Sequence, residues 1–168
     1  MTMLAIDSKE FRRVLGHFPT GVVVVTAVGS DGTPAGMAIG SFTSVSLEPP
    51  LVAFLPAKTS SSWPRMSTSG AFCVNVLGES QGDLGKRFAT SGGDKFAGID
   101  WTPAPSGSPI LPSVLAWIDC DVVRVDDAGD HLLVMGQVRA LSANPEGGGP
   151  LVFYRGSFGQ FAPAEGDQ

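Results

Sequence analysis

The chain has 168 residues, enough for one domain with a substantial core, and its 43% hydrophobic against 16% charged content excludes a disordered polymer. A net charge of −5 excludes a broad basic face for nucleic acid, yet a few local cations suffice for a small phosphorylated ligand. No run approaches the ~20 apolar residues of a membrane span, and the start MTMLAIDSKEFRR turns charged before any long apolar stretch, so the expected location is cytoplasmic.

Asp7 is a predicted helix cap with Glu10 as its capping-box partner, and Phe11, Val14, Leu15 and Phe18 form one apolar stripe at helical spacing. The predicted helix runs over 7–18 and stops at Pro19. GVVVVTAV (21–28) reads as a strand buried on both faces. The turn chemistry of SDGTP (30–34) joins it to a second strand in AGMAIGSF, as a hairpin. LVAFL (51–55) is a short strand after Pro49 and Pro50. In AKTSSSWPRM (57–66), Ser62 is a predicted cap and Pro64 suits a first helical turn. AFCVNVL (71–77) is a strand, and SQGDLGKRFAT (80–90) a helix that points Leu84 and Phe88 inward.

Residues 91–113, rich in Gly, Pro and Ser, read as a long ordered excursion packed over something. VLAWIDCDVVRVDDAG (114–129), HLLVMGQVRALSA (131–143) and LVFYRGSFGQF (151–161) complete the strands. The tail 162–168 is expected to fray. Short strands joined by hairpins and longer crossings point to a closed or partly closed antiparallel barrel, mainly β with a few helices, in one domain over 1–168. Cys73 and Cys120 lie in apolar runs and are expected as free, buried thiols.

The sequence lacks zinc-ligand spacing, GxGxxG, a Walker A pattern and a G-x-S-x-G elbow. No metal is expected, and an enzyme built from these residues needs a cofactor to carry the reaction. Four segments have ligand-binding character. GMAIGSFTSVS (36–46) combines small residues with hydroxyls, allowing close backbone approach to a flat ring, although Ser and Thr also populate ordinary turns. Lys58 with Ser60, Ser61 and Ser62 can hold a phosphate, although Lys/Ser loops are commonly just solvated. GDH (129–131) puts His131 at a strand start after a tight turn, and YRGSFG (154–159) puts the single tyrosine beside Arg155.

In order and spacing these segments resemble the short-chain flavin reductases of the flavin reductase-like, FMN-binding split-barrel family. The resemblance is carried by FPTGVVVVTA (18–27), GMAIGSFTSVSLEPPLVAF (36–54), KTSSSWPRM (58–66), FCVNVL (72–77), KRFA (86–89), KFAGIDW (95–101), GDHLLVMGQV (129–138) and PLVFYRGSFGQF (150–161). It implies a Greek-key split barrel, a homodimer, and FMN or FAD bound near the dimer interface. It implies that Met37, Ala38, Ile39, Gly40 and Ser41 line the isoalloxazine, with Ser46 nearby. Leu55, Pro56, Ala57, Lys58, Ser60 and Ser62 are implied to hold the ribityl and phosphate portion, closed by Phe88 and Ala89. His131 matches a histidine on the nicotinamide side, with Tyr154 and Arg155 near the NADH or NADPH.

The activity so implied is an NAD(P)H:flavin oxidoreductase that passes reduced flavin to a separate flavin-dependent oxygenase, such as an aromatic- or steroid-ring hydroxylase. His131 is its catalytic candidate. Hydride transfer needs two rings held in contact and donors for growing negative charge, with no strong acid or base. The competing expectation is a flavin-binding electron carrier or store without turnover. A pyridoxamine phosphate-type oxidase calls for a more basic phosphate site than Lys58 and Arg87 supply.

Overall fold

The computed structural model describes residues 6–164; the remainder of the predicted tail and the first five residues lie outside the described residues. The predicted N-terminal helix is α1 (Ser8–Leu15), capped by the Asp7 carboxylate, which accepts from the Lys9 N–H. Two turn bonds, His17 N–H to Val14 and Phe18 N–H to Leu15, carry the coil on towards Pro19. Glu10 does not complete a capping box. Its carboxylate is taken bidentately by Arg13, three residues on, at 2.6 and 2.8 Å. The apolar stripe faces outward: Phe11, Val14 and Leu15 are half exposed and Phe18 is 73% exposed. Among the described residues nothing covers it.

The valine run divides into β1 (Thr20–Gly21) and β2 (Val23–Val28). β2 is buried on both faces for the reason its sequence suggests. Val23, Val25 and Ala27 enter one core cluster with Phe54, Phe72 and Val134, while Val22 and Val24 enter a second with Leu77, Phe88 and Leu111. Period-2 alternation therefore serves two cores at once. β3 (Pro34–Ile39) pairs back on β2 as the predicted hairpin. β4 (Thr43–Leu47) is a strand where the sequence suggested a hydroxyl-rich passage; its alternation of Thr43, Val45 and Leu47 with Ser44 and Ser46 suits an exposed edge, and it pairs only with β5 (Pro50–Phe54).

Next come α2 (Trp63–Met66), β6 (Ala71–Val76) and, after a 3-10 turn over Glu79–Gln81, α3 (Gly82–Ala89). The excursion that follows holds a two-stranded ribbon of β7 (Thr102–Pro103) and β8 (Pro109–Ile110). The long strands β9 (Ala116–Ala128) and β10 (His131–Ala143) form the central hairpin. The last predicted strand is instead a hairpin, β11 (Leu151–Tyr154) and β12 (Ser157–Gln160), because Arg155 (φ 48°) and Gly156 (φ 82°) both turn left-handed.

The main sheet has seven antiparallel strands in the order β3-β2-β6-β9-β10-β5-β4. After four successive strands β2 to β5, β6 returns beside β2, the long return of a Greek key. The two edges, β3 and β4, make no ladder with each other, yet three residues, 40–42, connect them. So short a link spans at most about 15 Å. The sheet therefore curls enough to bring the end of β3 within that distance of the start of β4, without its edges pairing into a closed barrel. Curling demands a bare backbone where β10 crosses the core: a Cβ on Gly136 would lie 2.4 Å from the Phe72 ring. Mostly β structure with three short helices agrees with the expected class.

Both cysteines are fully buried free thiols. Burial pushes the Cys120 thiol up to about 12, with the nearby Asp119 and Asp121 charges adding to it. Neither thiol has the lowered pKa of a redox or nucleophilic cysteine.

Candidate active site

A cavity of about 400 Å³, within the range of small-molecule sites, opens beside the β3 edge. One wall is β3 and the link after it, Met37 to Ser41. Because β3 pairs on one side only, alternate backbone groups point away from β2. The Gly36 carbonyl does so, accepting from Lys95 Nζ at 3.4 Å. Two residues along, the N–H and C=O of Ala38 share that orientation. The opposite wall is the segment after β5. Ser41 ties the walls together: its hydroxyl accepts from the Leu55 N–H at 3.0 Å and donates to the Leu55 carbonyl at 3.3 Å.

His131 stands at the first residue of β10, bridged to Ala57. Gly129 (φ 69°) makes the turn that delivers it, and Asp130 fixes the ring, Oδ1 lying 2.7 Å from Nδ1. That hydrogen bond, and then the charge of His131, hold the exposed Asp130 carboxyl below the usual carboxylate range. Asp130 therefore remains an acceptor at neutral pH and puts the proton of a neutral imidazole on Nδ1, leaving Nε2 to a ligand.

The third wall is the end of α3 and the start of the excursion: Phe88, Ala89, Thr90, Ser91 and Lys95. Phe88 is fully buried and packs edge-on against Phe96 at 5.1 Å. Lys95 was absent from the sequence reading as a ligand, yet it is the ammonium that lines the cavity. Nζ donates to the Phe88 carbonyl (3.1 Å), the Ser62 hydroxyl (3.2 Å) and the Gly36 carbonyl (3.4 Å), and burial lowers its pKa. Its loop is held from below. Asn75 donates to the carbonyls of Val24 and Pro109 and accepts from the Leu111 N–H, while the buried Asp119 accepts from the Ser106 N–H and hydroxyl. The signal for both anchors was a polar side chain inside an apolar strand.

Of the residues expected at the site, Met37, Ala38, Ile39, Gly40, Ser41, Leu55, Ala57, Ser60, Ser62, Phe88, Ala89 and His131 line this cavity. Ser62 does not cap α2 with its side chain; the Ser60 hydroxyl does so, accepting from the N–H groups of Ser62 and Trp63. Pro56 is buried behind the lining, and Lys58 turns away to pair with Asp127 at 2.5 Å. Ser46 lies on β4, outside the lining. Tyr154 and Arg155 lie on the β11–β12 hairpin, where Arg155 N–H bonds the Gly16 carbonyl and Tyr154 meets His17 edge-on. In one chain they do not join His131. Thr59, Ser61, Thr90 and Ser91 complete the lining.

This lining suits a flavin. The small side chains of Ala38, Gly40, Ala57 and Ala89 leave backbone open to a flat ring, the edge of β3 offers both donor and acceptor, and the lining adds the hydroxyls of Ser60, Ser61 and Ser62 with the Lys95 ammonium. Among the described residues no cluster of His, Cys, Asp and Glu has metal-binding form, and no helix is long and apolar enough to cross a membrane.

The sequence matches the flavin reductase like domain over residues 15–162. It is 54% identical over 158 residues to the flavin reductase of Pseudomonas putida, covering 94% of this chain and 92% of that protein. It is 52% identical over 159 residues to the reductase subunit HsaB of a flavin-dependent monooxygenase from Rhodococcus jostii, covering 95% and 80%. Its fold superposes on the NADH:FAD oxidoreductase SgcE6 of Streptomyces globisporus with a TM-score of 0.87 at 37% identity, over 97% of this chain and 98% of the other.

Proposed function

The chain belongs to the flavin reductase-like family, and from that premise we propose how its cavity reduces a flavin. The activity is that of a flavin reductase drawing on NADH, with FMN or FAD as flavin, and a separate oxygenase takes the reduced product. The observation that carries the site assignment is the cavity itself: β3 edge, Ser41 strap, Lys95 and His131 converge on one opening.

A flavin bound there would supply the hydride acceptor and NADH the hydride. The chain's own work is positional. Ala38 N–H and C=O would hold the polar edge of the ring, and the small residues around it would let the backbone approach closely. The hydroxyls of Ser60, Ser61, Ser62 and Thr90 surround the phosphate end, and Lys95 supplies its positive charge. His131, its ring fixed through Nδ1, would offer Nε2 to the nicotinamide carboxamide. No side chain grips the flavin covalently, which suits a product that must leave. The assay is NADH oxidation with added flavin: turnover in proportion to protein is expected, and flavin binding without NADH consumption would replace this reading with an electron carrier.

Dimerisation belongs to the same proposal. Phe11, Val14, Leu15 and Phe18 on the α1 face, with Phe153 and Tyr154 on the adjoining hairpin, expose a contiguous kind of surface that a lone chain seldom shows. A second copy seated there is the occupant we infer, and it can bring Tyr154 and Arg155 to the other subunit's cavity. Sedimentation should give twice the chain mass, and Phe18→Glu should shift it to the chain mass; a monomeric parent protein would defeat the inference.

A further inference from the structure

We propose that Thr20, which belongs to none of the cavity walls described above, gives its hydroxyl to the ring of the bound flavin through the gap that Gly40 leaves. The proposal rests on the flavin assignment above. Gly40 lines the cavity and has no side chain of its own. A Cβ there would lie 3.0 Å from the Thr20 hydroxyl oxygen and 3.8 Å from the Thr20 Cβ. Beyond the residues adjoining Gly40, no other atom of the described residues would come within 4 Å of it. The Thr20 oxygen therefore stands about where a short polar side chain of residue 40 would end. A neighbouring strand supplies the hydroxyl that this position lacks.

The other bare position on the wall, Gly36, is covered differently. There the fully buried Phe88 ring fills the space, 2.8 Å from where a Cβ would be, as an apolar plug. At Gly40 the covering atom is an oxygen on a half-buried residue. Ser41, next along the chain, spends its hydroxyl on both polar groups of Leu55. Thr20 has no such side-chain partner among the described residues, so its oxygen is free to bond a guest. It is also held in place. Thr20 opens β1, pairs with Phe153 and follows Pro19, whose ring restricts the chain before it. Branching at Cβ restricts its side chain in turn. A fixed hydroxyl loses little freedom when it bonds a ligand. It both donates and accepts, so a ring carbonyl, a ring nitrogen or a ring N–H would satisfy it.

Fluorescence titration with riboflavin and FMN tests the proposal without turnover. Thr20→Val keeps the shape and removes the hydroxyl, and should weaken both ligands alike, about fivefold. Thr20→Ser keeps the hydroxyl and should stay within about twofold of the parent. Thr20→Ala should repeat the valine loss. Adding Gly40→Ser to it should restore most of the affinity, because with the threonine oxygen gone the nearest atom to the new Cβ is 3.8 Å away and the serine hydroxyl takes over the same place. A purely steric wedge gives the opposite order, with valine like the parent and serine impaired. Valine binding as tightly as the parent, or serine impaired as much as valine, overturns the proposal and leaves the flavin site standing. Should Thr20→Val fail to fold, Thr20→Ala with and without Gly40→Ser decides on the same terms, equal affinities of the two counting against it. A parent protein that binds neither riboflavin nor FMN overturns the flavin assignment itself, and this proposal with it.

Discussion

Replacing His131 with alanine is expected to lower kcat/KM for NADH about tenfold or more while flavin affinity stays within about twofold. The expectation follows from position. His131 is the first residue of β10, tethered by the bridge to Ala57 and by Asp130, and it lines the cavity from outside the β3 wall. Its loss removes a donor or acceptor for the nicotinamide and leaves the hydroxyl end untouched. Asp130→Asn should have a smaller effect, near threefold, because an amide can still accept from Nδ1. The folded Asp130 carboxyl titrates below its ordinary value, so its hold on the ring is complete above the usual carboxylate range and fails only as pH falls through the lowered value. The neutral-pH rate should therefore be flat with respect to this group. Equal kcat/KM in parent and His131→Ala proteins would remove the histidine from the site.

Phe88→Ala is expected to cost about 3–5 kcal/mol of folding stability and to weaken flavin binding with it. Phe88 is 1% exposed, at the end of an eight-residue helix that has little else to bury. Its ring packs on Phe96 and fills the space beneath Gly36, where a Cβ would come within 2.8 Å of it. Emptying that space loosens β3 against α3. It also frees the backbone carbonyl that accepts from Lys95, so the ammonium loses a fixed position. Urea unfolding with a parallel flavin titration reads both effects. By contrast the exposed stripe of α1 contributes little to the stability of a single chain, despite its larger apolar appearance in sequence. A Phe88→Ala protein as stable as the parent would show that α3 is not part of the cooperative core.

Elements defined by a local pattern were legible before the fold. The β-branched run of β2, the turn that starts β3 and the long strands β9 and β10 all declare themselves through periodicity and turn chemistry. What stayed hidden depended on residues far apart in the chain. α1 has the stripe of a core helix, but a stripe does not say whether its cover comes from the same chain. The final β-hairpin was disguised because an Arg-Gly turn between aromatic residues leaves no gap in the apolar pattern.

The site divides similarly. The small, hydroxyl-rich segment 36–41 and His131 could be picked out locally. Lys58 was the obvious phosphate cation by sequence, yet Asp127, on the neighbouring strand, claims it. Lys95 lines the cavity instead, with its loop tied down from beneath by Asn75 and Asp119, and such a tether leaves no trace next to the lysine itself. The resemblance to reductases supplied the set as a whole; distance within one chain separates Tyr154 and Arg155 from the cavity lining.

Anaerobic rapid mixing of the protein and oxidised flavin with NADH observes the central event directly. Loss of the flavin's visible absorbance, at a rate set by protein concentration and matched one-for-one by NADH consumed, is the predicted result. Flavin that binds the protein but keeps its colour in the presence of excess NADH would contradict it.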